Sequence, residues 1–173
     1  MLFNSLDFAL FLPLVFIIYW ALKNNLKYQN LFLLLASYFF YGWWDLRFLS
    51  LILFSTIVDY VLGIELEKTK HKTKRRILLI FSLVINLGFL GFFKYFNFFL
   101  DNFSQVFSAL GHEINSRSLN IILPVGISFY TFQTLSYTID IYNKKINATK
   151  DITAFFAFVA FFPQLVAGPI ERA

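Results

Sequence analysis

The 173-residue chain contains no cysteine, which excludes disulfides, thiolate metal sites and a cysteine acyl-enzyme, and leaves the redox compartment open. Histidine is nearly absent as well: His71 lies in a basic loop and His112 in the polar stretch "LGHEINSRS". Neither has a second histidine or a carboxylate at ligand spacing on a helix, so no metal site is expected. Charge is scarce, at 14% of residues, where a soluble domain carries about 25%. So few charges cannot cover a surface that faces water. There is also no glycine-rich phosphate loop, no nucleophile elbow, no low-complexity linker and no internal repeat.

What fills the chain instead is apolar. Hydrophobic residues make up 58% and aromatic residues 21%. Long runs occupy Phe8–Leu22, Leu31–Trp44, Phe48–Ile64, Ile77–Phe93, Ile121–Ile139 and Ile152–Gly168. About 20 residues span a bilayer core, with a lower limit near 17. The expectation is an all-α, polytopic transmembrane bundle of about six segments, forming a single membrane domain over 1–173 with no soluble domain. Leu31–Trp44 is short and needs flanking residues from Tyr28 to span. "MLFNSLD" has no basic residue and no small-x-small site follows the first run, so we read that run as a retained membrane helix rather than a cleaved signal.

Orientation follows from the basic residues. With the N-terminus outside, the inner loops collect Lys23 and Lys27, the tract Lys68 to Arg76, and Lys144, Lys145 and Lys150, eleven of the fifteen Lys and Arg. Cytoplasmic loops gather positive charge in this way. The tract "EKTKHKTKRR", flanked by membrane segments, is therefore read as a topology signal rather than a nucleic-acid or acidic-lipid site. A stretch from Phe96 to Leu110 has apolar residues at helical spacing with Asn97, Asp101, Asn102, Gln105 and Ser108 elsewhere, the pattern of an interfacial amphipathic helix. A wall of a substrate cleft is its alternative. Tyr41, Trp43 and Trp44 are read as headgroup-level anchors.

Chemistry has to come from polar groups kept inside apolar runs. Asp59 lies in "FSTIVDYVLG", and an ionisable side chain at that depth must face protein or a wet cavity. The reading that it bonds to another helix stands beside a site role. In "LPVGISFYTFQTLSYTIDIY", Pro124 and Gly126 loosen the entry, and Tyr130, Gln133, Tyr137 and Asp140 then share one helical face, with Thr131, Thr134 and Thr138 adjoining. Phe132, Leu135 and Ile139 take the opposite side. A polar stripe in lipid either joins helices or lines a chamber. Its length favours the chamber. Pro163 breaks the last apolar run, and Gln164 beside it is placed to meet freed backbone groups.

Taken in order, "SYFFYGWWDLRFL", "STIVDYVLG", "FKYFNFFLDNF", "LPVGISFYTFQTLSYTIDIY" and "FFPQLVAGPIER" resemble the N-terminal portion of the membrane-bound O-acyltransferases, in their alginate O-acetyltransferase branch. The likeness covers Tyr38 to Arg172. It implies transfer of an acyl group, acetyl in that branch, within a membrane chamber. The donor implied is a cytoplasmic thioester, acetyl-CoA or an acyl carrier, with no resident cofactor or metal. The acceptor implied is an exported polysaccharide such as alginate, or an extracytoplasmic relay protein; membrane lipids surround the chain and nucleic acid is not a partner. The family's histidine, its general base, lies past the "AGPI" motif and hence beyond Ala173, so the resemblance implies an incomplete fold, inactive alone, with no catalytic residue in this chain. Asp59, Tyr130, Gln133, Tyr137, Asp140 and Gln164 would then be chamber wall and support, in a multi-pass protein of the bacterial cytoplasmic membrane. D-alanyl transfer to teichoic acid, a transporter or flippase, and a non-catalytic scaffold are the alternatives.

Overall fold

The computed structural model describes residues 5–43, 45–109, 124 and 126–168. Trp44, His112, the N-terminal side of the fifth apolar run and residues 169–173, which hold the second breaker Pro169 and most of the "GPIER" motif, lie outside the described residues. Among the described residues seven helices follow one another: α1 Leu6–Ala21, α2 Leu26–Gly42, α3 Leu46–Lys68, α4 Lys72–Ala109, α5 Ile127–Tyr142, α6 Ile152–Ala160 and α7 Phe162–Ala167. Among the described residues there is no strand. The all-α bundle expected from the apolar runs is the architecture observed.

Local chemistry sets the ends of these helices. Ser5, Asn25, Asp45 and Asp151 each accept a backbone N–H from the first turn of the helix they precede, satisfying a donor that would otherwise be orphaned. Arg47 clamps the Asp45 cap through Nη2 at 2.7 Å, and this bonding holds the Asp45 carboxyl below the usual carboxylate range. α5 starts differently. Its N-cap is Gly126 at φ 80°, a left-handed conformation that suits glycine. The point where a Cβ would stand lies 3.0 Å from the Leu165 carbonyl oxygen, so α7 packs directly on this turn.

α3, α4 and α5 pack on one another as a central triad. α2 lies against α3 and α6, α1 lies outside α2, and the short α7 closes on α2 and α5. α1 buries only Val15 of its sixteen residues and is apolar all round, as befits a helix facing lipid. Among the described residues, α3 and α4 are the two helices long and apolar enough to cross a bilayer by themselves. α2 begins at Leu26 and runs for 17 residues, and it is not among the helices long and apolar enough to cross by themselves.

The segment after Lys94 is helical as its periodicity predicts, but it is not a separate helix. α4 continues without interruption through 38 residues to Ala109. At about 1.5 Å per residue that is longer than a bilayer core is thick. Gly88 and Gly91 do not break it, and a Cβ at either would meet nothing within 4 Å.

α3 and α5 approach each other closely at Gly63. A Cβ there would stand 2.8 Å from Tyr137 Cε1 and 3.1 Å from Ile141 Cδ1. Gly63→Leu should therefore force the two helices apart and lower stability by about 1–3 kcal/mol, the usual cost of overpacking. Equilibrium unfolding in mixed micelles measures this; an unchanged midpoint would contradict the packing described.

Candidate functional site

Asp59 is completely buried, and its partners come from two other helices. Ser82 Oγ donates to Asp59 Oδ1 at 2.6 Å. Asn86 Nδ2 lies 3.0 Å from Oδ1 and 2.8 Å from Oδ2. Thr138 Oγ1 of α5 reaches Oδ1 at 3.5 Å. Asn86 in turn accepts from Ser55 Oγ at 2.7 Å and from Thr134 Oγ1 at 3.4 Å. Every polar group in this knot meets another, which is the condition for tolerating it in an apolar interior. It ties α3, α4 and α5 together. Both carboxylate oxygens are engaged by donors within the bundle. Its neighbour Tyr60 turns elsewhere, its hydroxyl donating to the Lys150 carbonyl at 2.9 Å.

The α5 stripe is inward. Tyr130, Gln133, Tyr137 and Asp140 are all buried, with Thr131, Thr134 and Thr138, while Phe132 on the far side is 44% exposed. Leu135, expected with Phe132, is buried instead, because helices flank α5 on more than one side. The four polar residues do not share one contact. Gln133 meets α6, Nε2 donating to the Phe158 carbonyl at 3.0 Å. The Tyr137 ring packs on Phe155 with centroids 4.6 Å apart, and its hydroxyl accepts the Thr149 N–H at 3.2 Å. Tyr137 also borders a hollow of about 330 Å³ with Asn147, Thr149, Ala154, Phe155 and Phe158. Asp140 lies at the last turn, Oδ1 being 3.7 Å from Lys145 Nζ. Tyr130 sits in the apolar core around Phe162 and Leu165.

Pro163 does break its segment. α6 ends at Ala160 and α7 begins at Phe162, with Pro163 in the first turn of α7, where its missing N–H costs nothing. Side chains from two neighbouring helices meet the break: Gln133 holds the Phe158 carbonyl, and Ser37 Oγ of α2 accepts the Phe162 N–H at 3.4 Å. Gln164 is half-buried on α7, and its own carbonyl accepts the Gly168 N–H at 2.9 Å.

Several residues of the site were not singled out from sequence. Ser82 and Asn86 sit in an otherwise apolar run, four residues apart, which is the spacing of one helical face. Arg75, read as part of a topology signal, is buried and donates to the carbonyls of Leu66, Thr69, Ile141 and Tyr142, the last at 2.7 Å. Tyr38 and Tyr41 of α2 carry buried hydroxyls with no hydrogen-bond partner among the described residues. Tyr41 approaches the start of α5, its hydroxyl 3.3 Å from the Cβ point of Gly126. A buried hydroxyl without a partner is uncommon enough to call for an account.

Among the described residues no three histidines, cysteines or carboxylates gather as a metal site would require. His71 is exposed in the α3–α4 loop. The arrangement can wall a hollow, fix backbone at a helix break and exclude water. Among these residues the only buried carboxylates, Asp59 and Asp140, already have the partners described.

Comparison with known proteins gives a consistent set of relatives. No family model and no solved structure matches the chain. A Pseudomonas aeruginosa protein named "Probable alginate O-acetylase AlgI" is 40% identical over 174 residues, covering 99% of this chain and 33% of that protein. The protein of the same name from Pseudomonas syringae pv. tomato is 39% identical over 175 residues, with the same coverage. The "Peptidoglycan O-acetyltransferase" of Helicobacter pylori is 34% identical over 198 residues, covering 98% of this chain and 37% of its own length. The chain thus spans about a third of the length of the curated relatives it matches.

Proposed function

Because the chain belongs to the membrane-bound O-acyltransferase family, we propose that it contributes the wall and support of an acyl-transfer chamber acting on exported polysaccharide. The observation that carries this is likeness over 98–99% of the chain to O-acetyltransferases named for two different polymers, alginate and peptidoglycan. The transferred group is acetyl and its donor a cytoplasmic thioester. The acceptor is a hydroxyl of a polymer such as alginate, or a relay protein that carries the group onward. In the reaction the hydroxyl oxygen attacks the thioester carbonyl, the C–O ester bond forms, the C–S bond breaks, and the hydroxyl proton passes to a base while the thiolate leaves. None of the residues described here is assigned as that base.

Positioning is the part this chain plays. Gln133 and Ser37 hold the broken helix at Phe161–Phe162, and Tyr137 borders the hollow beside it. Tyr38 and Tyr41 add buried hydroxyls on α2 that have no hydrogen-bond partner among the described residues. The protein is multi-pass in the bacterial cytoplasmic membrane with its N-terminus outside, a reading supported by the three basic loops.

Gln133→Leu in the full-length protein tests the reading. Without its amide the Phe158 carbonyl loses its donor, and the end of α6 is free to shift against the hollow. A misplacement of about 1 Å costs up to 100-fold in rate, so acetyl content of the exported polymer should fall by about tenfold or more. Undiminished acetylation at equal protein level would count against the chamber.

A further inference from the structure

The loops at the Lys27 and Lys150 end of the bundle are pinned by side chains from neighbouring helices. Tyr60 donates to the Lys150 carbonyl at 2.9 Å, Tyr137 accepts the Thr149 N–H at 3.2 Å, and Glu67 accepts the Ala148 N–H at 3.1 Å. On the other flank, Gln29 Nε2 donates to the Tyr19 carbonyl at 3.2 Å and fixes the first turn of α2 against the end of α1. Between these segments lies a hollow of about 530 Å³, bordered by Lys27, Tyr28 and Leu31 of α2 and by Lys150, Asp151 and Ile152 at the start of α6. The acyl-transfer reading uses none of its side chains.

The lining is layered. Lys27 and Lys150 border one hollow from separate elements, so two cationic side chains lie at its edge. Asp151 also borders it, but its Oδ1 accepts the Ala154 N–H at 3.0 Å and so faces the N-terminus of α6. Tyr28 is 61% exposed, in the place where aromatic rings sit at headgroup level. Leu31 lies one turn further along α2 and Ile152 in the first turn of α6, both apolar and exposed. Passing towards the apolar length of the helices, the order is cations, phenol ring, aliphatic floor. A soluble phosphate ester would use the cations and leave the floor unused. A phospholipid uses both, since its phosphodiester and acyl chain follow in that order.

We propose that this hollow seats the head of a phospholipid, with its phosphodiester between the Lys27 and Lys150 ammonium groups and the upper part of an acyl chain along Leu31 and Ile152. The proposal is independent of acyl transfer and requires only that the chain sits in a bilayer.

The test is phospholipid retained per chain after purification in mild detergent from vesicles of phosphatidylglycerol and phosphatidylcholine. The Lys27→Gln/Lys150→Gln double variant should retain severalfold less than the original chain. The Lys23→Gln/Lys144→Gln variant, altered at exposed lysines outside the hollow, should retain as much as the original. Equal loss in both variants would mean diffuse attraction to the basic loops and would overturn the seat, as would loss in neither. Displacement of the lipid by millimolar inorganic pyrophosphate would assign the hollow to a soluble phosphate instead. A photoactivatable phospholipid with the unaltered chain gives a result that does not depend on any variant folding. Crosslinks should fall within 27–31 and 150–153, and crosslinks confined elsewhere would overturn the proposal.

Discussion

Replacing Asp59 with leucine should destabilise the bundle by about 3–5 kcal/mol, since each buried donor left without its acceptor costs roughly 1–3 kcal/mol. The side chain is completely buried, and the hydroxyls of Ser82 and Thr138 and the Asn86 amide all converge on its oxygens. Leucine would leave those donors facing aliphatic carbon, with no water to replace the lost acceptor. The cost would spread across α3, α4 and α5, because the knot is what crosses between them. Asp59→Asn keeps the shape and one acceptor but turns an amide towards the amide of Asn86, so a smaller loss of about 1–2 kcal/mol is expected. Equilibrium unfolding in mixed micelles orders the three proteins. If leucine were tolerated within about 1 kcal/mol, hydrogen bonding could not be what joins the triad.

Arg75→Met is expected to be nearly as damaging, at about 3 kcal/mol. The guanidinium lies in the first turn of α4 yet reaches the last carbonyls of two other helices, Leu66 and Thr69 at the end of α3 and Ile141 and Tyr142 at the end of α5. Helix C-termini carry partial negative charge, and two of them face this one cation. The plane of the guanidinium also lies 5.6 Å from the Tyr142 ring centre. A planar fork of donors can serve several carbonyls at once, whereas an ammonium on a flexible stem cannot hold that geometry. Arg75→Lys should therefore recover less than half of the lost stability. Full recovery by lysine would mean that charge alone, without the fork, makes the tie.

These two residues also show how far the sequence could be read. That Asp59 must face protein follows from its depth in an apolar run, and the inward side of α5 follows from the spacing of Tyr130, Gln133, Tyr137 and Asp140. The break at Pro163 follows from its missing donor. Partners across the bundle do not follow, because Asp59 meets Ser82 and Asn86 only once α3 and α4 are laid side by side. Hydropathy averaged over a window hides two polar residues among aliphatic ones. Arg75 was hidden for the opposite reason, sitting among Lys72, Lys74 and Arg76 in a tract whose composition is explained by topology alone. Arg75, Ser82, Asn86 and Leu90 are nevertheless the buried stripe of α4, and that spacing was available in the sequence. The polar cluster around Asn97 suggested a new helix after Lys94, yet no proline intervenes, and nothing in the local sequence stops α4 from continuing.

The residues of the α5 stripe divide between joining helices and bordering a hollow. Gln133 and Thr138 make direct ties to other helices, whereas Tyr137 both ties a loop and borders a hollow.

The central claim is that polar side chains on these apolar helices face one another inside the bundle. Because the chain has no cysteine, single cysteines carrying a nitroxide can be placed along α5 without background. Their collision with molecular oxygen, which concentrates in the hydrocarbon of a bilayer, then reports which face meets lipid. Labels at Phe132, Ser136 and Ile139 should collide often, and labels at Thr134 and Thr138 rarely. Equal collision rates on the two faces, or higher rates at Thr134 and Thr138, would contradict the account.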